Sequence, residues 1–118
     1  MEFRESQAIY LQIADYICES ILKEKWKEGE RIPSVRELAI SMEVNPNTAM
    51  RTFNFLQDVG IIFNKRGIGY FISEDGKSKT MDLKKEEFIK NEIPRFIRTM
   101  KILNISTSDL EKFYNEIQ

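Results

Sequence analysis

The stretch IPSVRELAISMEVNPNTAMRTFNFL, residues 32–56, carries two helix-start signals separated by one short turn. Ser34, followed three residues later by Glu37, forms a capping box: the hydroxyl accepts from one orphan backbone N–H and the carboxylate reaches back to another. Pro33, just outside, favours an extended entry into the helix. The pattern predicts a helix from Val35 to about Met42, with Val35, Leu38, Ala39 and Met42 facing inward. A short turn, EVN, follows. Asn45 then suits an N-cap, and Pro46 the first helical position, where its missing N–H costs nothing. The second helix turns Ala49, Phe53 and Leu56 to the core, at spacings of four and three, and stops at Gly60. Two helices joined by so short a turn, the second well capped, predict a helix-turn-helix.

The flanks complete the unit. Downstream, IIFN and YFIS are β-prone runs on either side of KRGIG, a turn with two glycines and two adjacent cations, and they predict a hairpin. Upstream, Ile9, Tyr10, Ile13, Ile17, Ile21 and Leu22 form one apolar stripe at helical spacing over residues 8–22. That helix runs out in KEKWKEGER, where Gly29 marks a turn. Helix, helix, recognition helix and hairpin in this order predict a winged helix.

Beyond Ser73 the composition changes. EDGKSKT reads as a polar linker. A long helical pattern over residues 82–103 follows, carrying Leu83, Phe88, Ile89, Ile93, Phe96, Ile97, Met100 and Leu103. Pro94 lies inside it and should kink or break the helix near Ile93. Ser106 with Asp109 is placed to cap a last helix bearing Leu110, Phe113 and Ile117. The expected fold class is mainly α with a small β-hairpin. Residues 1–73 form the winged helix-turn-helix domain, and residues 74–118 a short helical tail that dimerises, since two short amphipathic helices bury too little alone.

Composition narrows the chemistry. With 118 residues and 13 aromatics the chain can build one compact core. It has no histidine and one cysteine, which rules out imidazole metal sites, a structural zinc site, and Ser–His or Cys–His nucleophiles. Cys18 borders the first apolar stripe and reads as a small buried hydrophobe. Gly67 and Gly69 lack the third glycine and the following helix of a dinucleotide loop. No catalytic residue, cofactor or metal is expected, and an enzyme has no supporting constellation. Neither a membrane-spanning run nor a secretory signal is visible, which points to the cytoplasm. Asn104 opens a glycosylation sequon that is incidental in that compartment.

Charge is uneven although it sums to −1. Residues 31–73 carry 5 basic and 3 acidic side chains, residues 1–30 carry 4 and 7, and residues 74–118 carry 9 of each. The positive segment is the one with the helix-turn-helix. If the helix beginning at Pro46 enters a DNA major groove, Asn45, Asn47 and Thr48 offer short donors and acceptors, and Arg51 reaches a guanine or a phosphate. Ser34 and Arg36 start the helix that crosses the backbone and are phosphate-clamp candidates. Lys65 and Arg66 at the hairpin tip would reach a neighbouring groove, with Gly67 letting the backbone approach closely. Each residue also has a local role: Asn45 and Ser34 cap helices, and the arginines are solvated surface side chains. Their joint occurrence in winged-helix order favours DNA. The alternative is a winged helix used as a protein-interaction module, which usually lacks cations at these places.

IYLQIADYI, GERIPSVRELA, VNPNTAMRTFNFLQDVGII and KRGIGYFIS together resemble the N-terminal winged-helix domain of the GntR family of bacterial transcription regulators, over residues 8–73 and without gaps. Pro46 stands where many members carry an arginine that contacts DNA, and VNPNT with the short tail looks like the small YtrA-like branch. The resemblance implies that Arg36, Asn47, Thr48, Lys65, Arg66 and Gly67 match DNA-touching positions. It further implies a dimeric repressor of double-stranded promoter DNA, often beside ABC transporter genes, with the helices after Ser73 building the homodimer interface. It leaves room for an unknown small-molecule effector and names none.

Overall fold

A computed structural model describes residues 7–118, and the chain divides into two compact units, Met1–Asp82 and Leu83–Gln118. The first unit opens with α1 (Ile9–Leu22), α2 (Val35–Met42) and α3 (Pro46–Asp58). The hairpin β1 (Ile62–Lys65) and β2 (Gly69–Ile72) follows. Helix α4 (Gly76–Glu87) begins in the first unit and ends in the second. This is a winged helix-turn-helix, as the residue pattern predicts.

The core is the meeting of the predicted stripes. Ile13, Ile17 and Ile21 of α1 pack with Leu38 and Ala39 of α2, with Ala49, Phe53 and Leu56 of α3, and with Ile61, Ile62 and Ile72 around the hairpin, all essentially inaccessible. Each buried large aliphatic or aromatic side chain stabilises by about 1.5–3 kcal/mol. Cys18 is buried on the same stripe. Val35 and Met42, expected inward, are only half-buried, because α2 is short and packs mainly through Leu38 and Ala39. Ile9, at the first turn of α1, is exposed for the same reason of position. Thr52, fully buried on α3, donates its hydroxyl to the Tyr10 carbonyl at 2.8 Å and so ties the start of α1 to the middle of α3.

The turn between α2 and α3 begins on Glu43 in the left-handed region (φ 56°), whose N–H reaches the Ala39 and Ile40 carbonyls of α2. Glycine usually takes that position, since a side chain there costs about 1–2 kcal/mol. In the hairpin Lys65 pairs with Gly69 across a loop of Arg66, Gly67 and Ile68, closed by the Ile68 N–H donating to the Lys65 carbonyl at 2.9 Å. Gly67 supplies the positive φ (79°) that this turn requires.

Two further features depart from the sequence expectation. Gly29 is more than a turn: its N–H donates to the Ile72 carbonyl, the Ile72 N–H to the Glu30 carbonyl and the Ile32 N–H to the Tyr70 carbonyl, so residues 29–32 line β2 through a single antiparallel bridge between Arg31 and Phe71. The segment EDGKSKT is not a linker, because α4 starts within it at Gly76. Gly76 is buried, and a Cβ there would lie 2.7 Å from Ile72 Cγ2 and 3.1 Å from the Ile61 carbonyl oxygen. Thr80, one turn on, is fully buried and donates to the Gly76 carbonyl. The first compact unit therefore extends to Asp82, nine residues past the change in composition at Ser73.

In the second unit α4 runs into a π-helical turn, Phe88–Glu92, and then α5 (Ile93–Ile102). Pro94 sits in the first turn of α5. Its ring displaces the carbonyl four residues back and it has no N–H to give, so the backbone widens into a π turn instead of breaking. Asn104 (φ 56°) ends α5, and α6 (Thr107–Glu116) starts with Ser106 and Asp109 in the expected capping box. Of the large apolar side chains described in this unit only Met100 is buried, whereas Phe88, Ile89, Phe96, Ile97, Leu103, Phe113 and Ile117 stand exposed.

Candidate nucleic-acid interface

Three exposed parts of the first unit carry the candidate residues: the start of α2, the first turns of α3 and the hairpin tip. At α2, Ser34 Oγ accepts from the Glu37 N–H at 3.1 Å while the Ser34 N–H donates to the Glu37 carboxylate at 3.3 Å. These bonds, helped by the charge of Arg31, hold the Glu37 carboxyl below its usual range. The capping box fixes the helix start, and Arg36 beside it is exposed.

At α3, Asn45 Oδ1 accepts from the Asn47 N–H at 2.8 Å, which fixes the cap and leaves the Asn45 amide N–H₂ to donate outward. Pro46 follows at the first helical position. With Ala49, Phe53 and Leu56 drawn into the core, Asn47, Met50 and Arg51 are exposed and Thr48 is half-exposed. Asn47, Thr48 and Arg51 line one open groove of about 350 Å³ together with Ala8, Ile9 and Tyr10. The Arg51 guanidinium lies 4.0 Å from the centre of the Tyr10 ring.

At the hairpin, Lys65, Arg66 and Gly67 are all exposed at or beside the tip. Lys65 Nζ lies 4.8 Å over the Phe71 ring, and Phe71 stacks on Phe63 at 5.8 Å. The nine candidate residues thus fall into three clusters: Ser34 with Arg36, Asn45 to Arg51, and Lys65 to Gly67.

Two residues of this surface were passed over in the sequence. Arg31 packs its guanidinium over the backbone of Gly69, beside the hairpin tip, where an added Cβ would come within 2.9 Å of Nε. Its placement follows from the isolated bridge between Arg31 and Phe71, which no local sequence pattern reveals. Tyr10 reads as one more apolar position of α1, and nothing local shows that a residue 41 positions later stacks on it. Among the described residues no group of His, Cys, Asp or Glu could hold a metal ion, and no helix is long and apolar enough to cross a membrane.

Residues 9–72 match the family model described as bacterial regulatory proteins, gntR family. The chain is 37% identical over 109 residues to the uncharacterized HTH-type transcriptional regulator YhcF of Bacillus subtilis (strain 168), covering 92% of this chain and 88% of that one. It is 35% identical over 114 residues to the HTH-type transcriptional repressor YtrA of the same organism, covering 97% and 87%. A solved GntR family transcriptional regulator from Listeria monocytogenes superposes with a TM-score of 0.81 at 33% identity, over 98% of this chain and 100% of that chain. The extent of these matches identifies the chain as a member of the GntR family, a small YtrA-like DNA-binding transcription regulator and not an enzyme.

Proposed function

We propose that the protein is a repressor that binds an inverted-repeat operator in promoter DNA as a homodimer, in the cytoplasm. One observation carries the DNA reading: the N-terminal half of α3 turns its apolar side into the core and leaves Asn47, Thr48 and Arg51 facing an open groove. Placed in a major groove, Asn45, Asn47 and Thr48 meet phosphates and base edges, and Arg51 reaches guanine O6 and N7 or a phosphate. Ser34 and Arg36 hold the flanking backbone. Lys65 and Arg66 enter the neighbouring groove, with Gly67 adding no side chain to keep the strand away.

The homodimer is supported by the second unit. Its Phe88, Ile89, Phe96, Ile97, Phe113 and Ile117 are all exposed large apolar side chains, the kind of surface that a partner copy covers. A partner copy covering them through residues 74–118 would set the separation of two α3 helices, about 34 Å or a multiple of it for half-sites one turn apart. Repression comes from the likeness to YtrA, which is described as a repressor. Nothing observed requires an effector.

Sedimentation of the full-length chain, alone and with a promoter duplex, tests both halves. Dimers at micromolar concentration and two chains per operator are expected. A monomer, or binding that ignores sequence and salt, contradicts the proposal.

A further inference from the structure

We propose that Tyr10, on α1 and outside the helix-turn-helix, is a positioning residue for DNA readout: its ring holds the Arg51 guanidinium in the orientation in which it meets DNA. The inference rests on Arg51 reaching DNA, as proposed above.

Three contacts fix Tyr10 on α3. Its carbonyl accepts from the buried Thr52 hydroxyl at 2.8 Å. Its ring meets Phe55 edge-on, with centroids 6.4 Å apart and planes at 75°. Its face carries Arg51, with the guanidinium carbon 4.0 Å from the ring centre. The first two contacts make the ring a fixed platform, and the third uses it. A ring engages the flat face of a guanidinium, so the in-plane N–H donors stay available for a bidentate contact with guanine or phosphate. A carboxylate partner would occupy those same donors. Arginine loses much rotamer freedom when it binds, and a side chain already held in place loses less. Tyr10 and Arg51 also line one groove with Asn47 and Thr48, so the platform belongs to the surface that the recognition helix presents.

The test is a double-mutant cycle in the full-length protein, using an operator duplex selected by the wild type from a random pool. Tyr10→Leu should weaken operator binding roughly 2- to 5-fold, the equivalent of one exposed cation–π contact. It should relax preference at the same position of the duplex as Arg51→Ala. In the Arg51→Ala background Tyr10→Leu should add nothing. Tyr10→Phe and Tyr10→Trp keep a ring face and should bind as the wild type does. Tyr10→Met, which retains an apolar contact on Phe55 without a ring, replaces Tyr10→Leu should that variant melt below the assay temperature. Additive losses, or a Tyr10→Phe variant as weak as Tyr10→Leu, overturn the positioning role. Weak binding by Arg51→Ala with wild-type binding by Tyr10→Leu overturns the inference alone. Wild-type binding by Arg51→Ala removes the role of Arg51, and the inference with it.

Discussion

Gly76→Ala sets two physical effects against each other. Alanine is the better helix former by about 1 kcal/mol in a helix interior, and the gain is smaller at the first residue of α4, where Gly76 sits. A free linker or an exposed helix start would therefore be unchanged or slightly stabilised. The packing says otherwise. The added methyl would lie 2.7 Å from Ile72 Cγ2 and 3.1 Å from the Ile61 carbonyl oxygen. Neither neighbour can yield cheaply: Ile72 is fully buried and β-branched, and the Ile61 oxygen is backbone that accepts from the Ser73 N–H at 3.0 Å. Overpacking of this kind costs about 1–3 kcal/mol, so the net effect is a destabilisation of about 1–2 kcal/mol after the propensity gain. Urea unfolding followed by circular dichroism should show a lower midpoint with an unchanged slope. Stability equal to or above the wild type would refute the packing of α4 against the hairpin.

The remaining expectations concern binding, pH and the two units. Arg51→Ala and Thr48→Ala should each weaken operator binding, by about 1–3 kcal/mol where a base contact is lost. Neither side chain is in the core, so melting should change little, with Arg51→Ala losing at most about 0.5–1 kcal/mol from its contact with Tyr10. Fluorescence anisotropy on operator variants measures the binding. Lys65→Ala with Arg66→Ala should weaken binding to all sequences and lower the log–log salt slope by roughly one to two. Hydrogen bonds from Ser34 depress the Glu37 carboxyl, so its capping contribution is present above the ordinary carboxylate range and is lost as pH falls through the lowered value. Glu37→Gln should remove that part of the acid dependence in thermal melts from neutral to acid pH. Truncation after Asp82 should give a folded monomer by sedimentation, whereas truncation after Ser73 removes Gly76 and Thr80 and should melt lower.

The winged helix was legible because its signals are local. A serine and a glutamate three apart, an Asn-Pro pair and a hairpin turn with two glycines each state one element boundary, and the boundaries of α2 and of the start of α3 fall where those residues put them. The start of α4 was not legible. Gly76 and Ser78 argue against a helix by propensity, yet Gly76 is there because only a hydrogen fits against Ile72. The bridge of residues 29–32 to β2 has no alternating pattern to announce it and shows only in its hydrogen bonds. Pro94 pointed to a kink or break near Ile93, and the irregularity there is a π turn, Phe88–Glu92, a form that the residue types do not announce. In the candidate interface the exposed polar positions of α3 followed from helical period, whereas the stacking of Arg51 on Tyr10 joins residues too distant for any periodic pattern.

Selection of bound duplexes from a random-sequence pool by the full-length protein, followed by sequencing, tests the central claim most directly. The expected result is enrichment of an inverted repeat whose half-site centres lie about 10–10.5 base pairs apart or a multiple of that. No enriched sequence, or a single unrepeated site bound by a monomer, would contradict readout by paired α3 helices.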